Sequence, residues 1–143
     1  MRLNVTFRCS LPTDKSAHPV GEELADYLRP KLDAAGISVS EVDNYNDIGW
    51  CLDTTVGDKK LFLAVAYIDK GDSEWLLQIN KYTTSVWNIF RKGYALSERE
   101  QLAPLVHSIL VSDPVFSAIR WHSGDFTKGK YSLTPDDAGL QRD

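Results

Sequence analysis

The stretch from Lys60 to Asp69 is apolar on both of its alternating sets, Leu61, Leu63, Val65 and Tyr67 against Phe62, Ala64, Ala66 and Ile68. Successive side chains of a strand point to opposite faces, so a segment of this kind fits a central strand covered on both sides. The rest of the chain has to supply that cover and the neighbouring strands.

The flanking sequence offers the strands. From Arg2 to Ser10, Leu3, Val5, Phe7 and Cys9 alternate with Arg2, Asn4, Thr6 and Arg8, the period-two pattern of a strand with one wet face. Ile37, Val39 and the set Ile48, Trp50, Leu52, Thr54 and Val56 read as extended chain, interrupted by the turn-prone residues Asp43 to Asp47. Val56-Gly57-Asp58-Lys59 has the make-up of a hairpin turn. Beyond a second turn at Lys70 to Ser73, Glu74 to Tyr82 places Trp75, Leu77 and Ile79 on one face. Consecutive strands joined this way predict an antiparallel meander.

Helical spacing appears in two places. Val20, Leu24, Tyr27, Leu28 and Leu32 form one stripe, closed by Gly36, which accepts a left-handed conformation without a Cβ penalty. Pro30 inside the stripe predicts a kink near Arg29, because it removes a donor and crowds the carbonyl of Asp26. Ser97-Glu98-Arg99-Glu100 has the form of a capping box opening a second helix, with Pro104 inside it and Leu102, Leu105, Val106, Ile109 and Leu110 as its buried stripe. Asp113-Pro114 reads as a further helix start, with a short turn over Val115 to Ile119 and a last strand around Ile119 and Trp121. From Gly124 onward apolar anchors are few. The expectation is an α+β domain over 1–123 and a flexible tail over 124–143, in the order β-α-β-β-β-α-β, with two amphipathic helices on one face of a mostly antiparallel sheet.

Composition bounds the function. With 143 residues, 43% apolar and 25% charged, the chain has the size and balance of one globular domain. Its net charge of -4 argues against a broad nucleic-acid surface, which needs many cations to neutralise phosphates. MRLNVTFRCS lacks the apolar core of a secretory signal, and no run approaches the roughly 20 apolar residues of a membrane span. Cys9 and Cys51, far apart in sequence, then read as reduced thiols of a bacterial cytoplasmic protein.

The motifs that carry chemistry are incomplete. Gly124 to Tyr131 approaches a phosphate-binding loop, but Tyr131 stands where a Mg²⁺-binding hydroxyl is required and Ser-Leu-Thr-Pro follows where a helix is needed. Asn44, Asn46 and Asp47 before Gly49 suggest a calcium loop, yet Ile48 falls on a ligand position and Thr55 replaces the bidentate Glu. His18, His107, His122, Cys9 and Cys51 lack zinc-type spacing, so neither a metal nor a cofactor is expected, and no catalytic residue is assigned. The stretch Lys81 to Tyr94 interleaves aromatics and cations, which fits a stacking surface for single-stranded nucleic acid, a protein hot spot, or a plug of Trp87, Ile89 and Phe90 at one end of the core with Arg91 and Lys92 in water, while Val86 to Arg91 suits a helical turn or a short strand equally. Tyr82, Trp87, Phe90, Arg91, Lys92 and Tyr94 are accordingly the candidate contacts of a non-enzymatic protein-binding module, the partner being another protein or a second copy in a homodimer. The alternative is a small-molecule binder or hydrolytic enzyme, with a pocket between sheet and first helix that uses His18 with Asp43 or Asp47.

Overall fold

The computed structural model describes residues 1–68, 73–82, 94–123, 130–136 and 140–142. Along the chain these form β1 (Asn4–Cys9), α1 (Glu22–Ala34), β2 (Val39–Tyr45), β3 (Gly49–Val56), β4 (Lys59–Ile68), β5 (Glu74–Lys81), α2 (Leu96–Ser112), β6 (Phe116–His122), β7 (Lys130–Ser132) and β8 (Leu140–Arg142). The strands make one antiparallel sheet in the order β2-β3-β4-β5-β1-β6-β7-β8. This is the α+β class read from the sequence.

The doubly apolar strand β4 is interior, paired with β3 and β5. Its two sets enter different clusters: Leu61, Leu63 and Val65 join the main core, and Phe62 and Ala64 join a small second one with Cys51. Leu24, Leu28 and Leu32 of α1 and Leu102, Val106 and Leu110 of α2 belong to the main core, so both helices cover the face that carries Val5, Phe7, Leu52, Trp75 and Leu77. Trp50 on this face donates its indole N–H to Pro19 O at 3.2 Å, tying down the loop that leads into α1.

Helix α1 runs through Pro30. It ends as Gly36 implies: Gly36, at φ 86, donates to Asp33 O and Ile37 N donates to Leu32 O, the paired bonds of a Schellman stop. Arg29 of α1 reaches the sheet margin, donating to Val39 O at 3.2 Å and Ser40 O at 3.4 Å.

Several expectations are corrected. The segment 37–56 holds two strands, because Asn46 (φ 49) and Asp47 (φ 59) form a tight turn that folds β3 back on β2. Asn44 braces this turn, accepting from Asp47 N at 2.8 Å and donating to Asp47 Oδ1 at 2.9 Å. The helix α2 starts before the Ser97 capping box: Ala95 is its N-cap, without a side-chain cap, and Arg99 reaches back to Tyr94 O at 3.2 Å. Residues 116–119 are strand, not helix. Asp113 Oδ1 still accepts from Val115 N at 3.1 Å as a cap would, but pairing with β1 takes the following residues into the sheet, and Asp113 Oδ2 accepts from Tyr27 Oη at 2.6 Å and pairs with Lys31 Nζ at 2.8 Å. Those partners hold its carboxyl down at a pKa of about 2.

The wet face expected of β1 is largely dry. Arg2 and Thr6 are buried, and only Arg8 is exposed. Where a tail was expected, 130–136 and 140–142 add β7 and β8 to the sheet, and Arg2 donates from its backbone N to Pro135 O at 2.6 Å and from Nε to Ser132 Oγ at 3.0 Å. Thr6 Oγ1 and His122 Nε2 share a hydrogen bond of 2.9 Å on that face, while Trp121 Nε1 donates to His107 Nδ1 at 3.1 Å on the helix-covered face.

Candidate functional site

The face of the sheet turned away from the helices carries a compact polar and aromatic group at its β2–β5 end. Strand register builds it. Partners across an antiparallel pair share a face, so Asp43 opposite Cys51, Cys51 opposite Ala64 and Asp53 opposite Phe62 all lie on this side. The tight turn after Tyr45 fixes the first pair, and its entry into β3 has no room for a side chain. A Cβ on Gly49 would lie 2.2 Å from Val65 O.

Aromatic rings lie across the group. Phe62 has Tyr45 on one side at 5.3 Å between ring centres and Tyr82 on the other at 4.5 Å. Beside Phe62, Tyr82 donates its hydroxyl to Asp53 Oδ1 at 2.7 Å. Burial first, and then this bond to a carboxylate, push the Tyr82 phenol well above its usual range. Cys51 Sγ stands 3.8 Å from the Tyr82 oxygen and 4.0 Å from Asp53 Oδ1. Burial also raises the pKa of its thiol, with the charges of Asp53 and Asp43 adding to the effect and the hydrogen bond with Tyr82 opposing it.

Toward the sheet end the group opens into two adjoining grooves that share Lys60 and Tyr82. One, of about 180 Å³, is lined by Glu41, Asp53, Thr55, Lys60 and Tyr82. The other, of about 220 Å³, is lined by Asp58, Lys60, Tyr82 and Tyr94. The Tyr94 ring is flanked by Lys59 Nζ at 5.2 Å and Lys81 Nζ at 6.0 Å from its centre.

Of the six candidate contacts, Tyr82 and Tyr94 thus meet in one groove; Trp87, Phe90, Arg91 and Lys92 lie outside the described residues, as do Val86 to Arg91 and most of the loop from Gly124. The structure does not bring His18 together with Asp43 or Asp47. His18 is exposed in the loop that Trp50 holds on the helix side, Asp43 is on the opposite face, and Asp47 is engaged in its own turn. A wider groove of about 540 Å³ lies between the C-terminal ends of the helices, lined by Lys31, Ala34, Ile109, Ser112 and Asp113. Sequence reasoning missed the grouping of Asp43, Cys51 and Asp53, although Cys51-x-Asp53 on a strand is a same-face spacing.

Comparison with protein families, with curated proteins and with solved structures finds no match to this chain. No helix among the described residues is long and apolar enough to cross a membrane.

Proposed function

We propose that this chain is a non-catalytic protein-binding module whose contact surface is the double groove around Tyr82 and Tyr94. The observation that carries the reading is the convergence of two tyrosines, separated by the undescribed residues 83–93, on one cleft with polar walls. Tyrosine is enriched where interfaces concentrate their binding energy, since it gives contact area with few rotatable bonds. The first groove sets Glu41 and Asp53 against Lys60, so the partner offers a basic segment to that groove, while Lys59 and Lys81 beside Tyr94 balance Asp58 at the second. Two buried free thiols and an acidic chain suit the reducing cytoplasm.

Isotope-labelled protein titrated with synthetic Lys- and Arg-rich peptides tests this. Resonances of Glu41, Asp58, Lys60 and Tyr94 should shift together, and Tyr94→Ala should weaken binding about tenfold or more. Shifts scattered over the molecule, or binding indifferent to the variant, would refute the reading; self-association that competes with the peptide would point to a second copy instead.

A further inference from the structure

Within the polar group on the uncovered face, the register of β2 and β3 gathers three side chains of metal-ligand type around one buried sulfur. The Cys51 side chain is only 4% exposed, and its Sγ makes long side-chain contacts to the Asp53 carboxylate at 4.0 Å and the Tyr82 oxygen at 3.8 Å. Both separations lie at the outer limit even for sulfur. One ligand atom each from Asp43, Cys51 and Asp53 falls within 4.8 Å of the others. In a tetrahedral site with metal–ligand bonds of about 2.0–2.3 Å, the ligand atoms themselves stand about 3.3–3.8 Å apart. The 4.0 Å between Cys51 Sγ and Asp53 Oδ1 is slightly wider than that spacing, so the three donors, held on paired strands, reach a shared cation by small side-chain rotations.

We propose that Asp43, Cys51 and Asp53 bind a thiophilic divalent cation of the zinc type.

The chemistry of the donors agrees with the geometry. A thiolate with two carboxylates suits zinc or cobalt, whereas magnesium and calcium take oxygen ligands throughout. Cys51 and Asp43 face each other across β2 and β3, and Asp53 lies two residues along the same strand, so paired backbone holds all three. Tyr82 orients the Asp53 carboxylate through its 2.7 Å hydrogen bond, as groups behind metal ligands do. Asp43 is exposed and gives the ion a way in from solvent. On binding, the Cys51 S–H bond breaks, its proton passes to solvent, and the electron pair left on Sγ forms the bond to the cation. Nothing is oxidised or reduced.

Titration of the full chain with Co²⁺ alone tests the site. The expected result is a near-ultraviolet sulfur-to-cobalt charge-transfer band that saturates at one equivalent and is displaced by Zn²⁺. Cys51→Ser should abolish the band and Cys9→Ser should leave it. Asp43→Asn alters an exposed side chain and should keep the fold, while weakening cobalt binding about tenfold or more. Absence of the band up to millimolar Co²⁺, its survival in Cys51→Ser, or unchanged affinity in Asp43→Asn would overturn the proposal. Because Asp43→Asn retains the thiol, it decides the matter even if the buried cysteine variant does not fold.

Discussion

The two faces of the sheet are buried by different means. On the helix-covered face, Val5, Phe7, Leu52, Leu63, Val65 and Leu77 meet the apolar stripes of α1 and α2 in one continuous core. On the other face, the buried apolar cluster shrinks to Cys51, Phe62 and Ala64, with Leu76 apart from it, and much of the remaining burial falls on Thr6, His122, Arg2 and Ser132, held by hydrogen bonds between side chains. Apolar packing is nondirectional and local in its sequence signature. A hydrogen-bonded face depends instead on exact partners brought from distant parts of the chain, so it carries more chemical specificity for less apolar burial.

The sharpest way to break this contrast is to remove from each side the kind of contact that holds it. Leu63→Ala, at a fully buried position on the helix side, should cost about 2–5 kcal/mol in chemical denaturation, through lost transfer energy and the cavity left behind. Tyr82→Phe on the other side deletes only the hydroxyl that donates to Asp53 and should cost about 1 kcal/mol. Equal losses would show that one hydrogen bond holds the polar face as firmly as a core leucine holds the other.

The smallest effect is set by pH. His107, which accepts the Trp121 indole N–H on the helix side, and His122, which bonds Thr6 on the other, both have pKa values lowered from 6.5. Burial is the leading cause in each. Arg120 and Arg2 reinforce it at His122 against Glu74 and the Lys130 backbone, and Asp136 opposes it at His107. Since the folded state binds these protons less readily than the unfolded one, the stability from each histidine is complete above pH 6.5 and declines as pH falls toward the folded value. Denaturation midpoints measured from pH 7.5 down to about 5 should therefore drop, and His107→Gln and His122→Gln should each flatten the slope. An unchanged slope in either variant would remove that face from the account.

The same division governs what could be read in the sequence. The doubly apolar β4 and the alternation of β1, β3 and β5 were legible because each depends on spacing within a few residues. Gly36 foretold the end of α1 for the same reason. The Ser97 capping box misled by two residues, since Arg99 clasps the backbone at Tyr94 and Ala95 and starts the helix earlier. Asp113-Pro114 makes the local bond of a helix start, from Val115 N to Asp113 Oδ1, but pairing with β1, remote in sequence, turns the next residues into strand β6. Burial of Arg2 and Thr6 depended on strand β7 and on His122. In the site, Cys51 and Asp53 shared a face by spacing alone. Asp43 joined them only through the register that the Asn46-Asp47 turn imposes, and Tyr82 reached Asp53 beside the Phe62 of an intervening strand.

Arg29 has a consequence beyond its place at the sheet margin. An outermost strand with free carbonyls is a template on which another chain can grow, and β2 is such a strand. The Arg29 guanidinium occupies the Val39 and Ser40 carbonyls, and the bulge between Val39 and Glu41 interrupts the ladder beside them. With Glu41 and Asp43 further along, a second β2 approaching edge to edge would meet blocked acceptors and like charge. The helix thus guards the sheet against fibre-like stacking, and the molecule carries in one side chain a defence of its colloidal stability at high concentration.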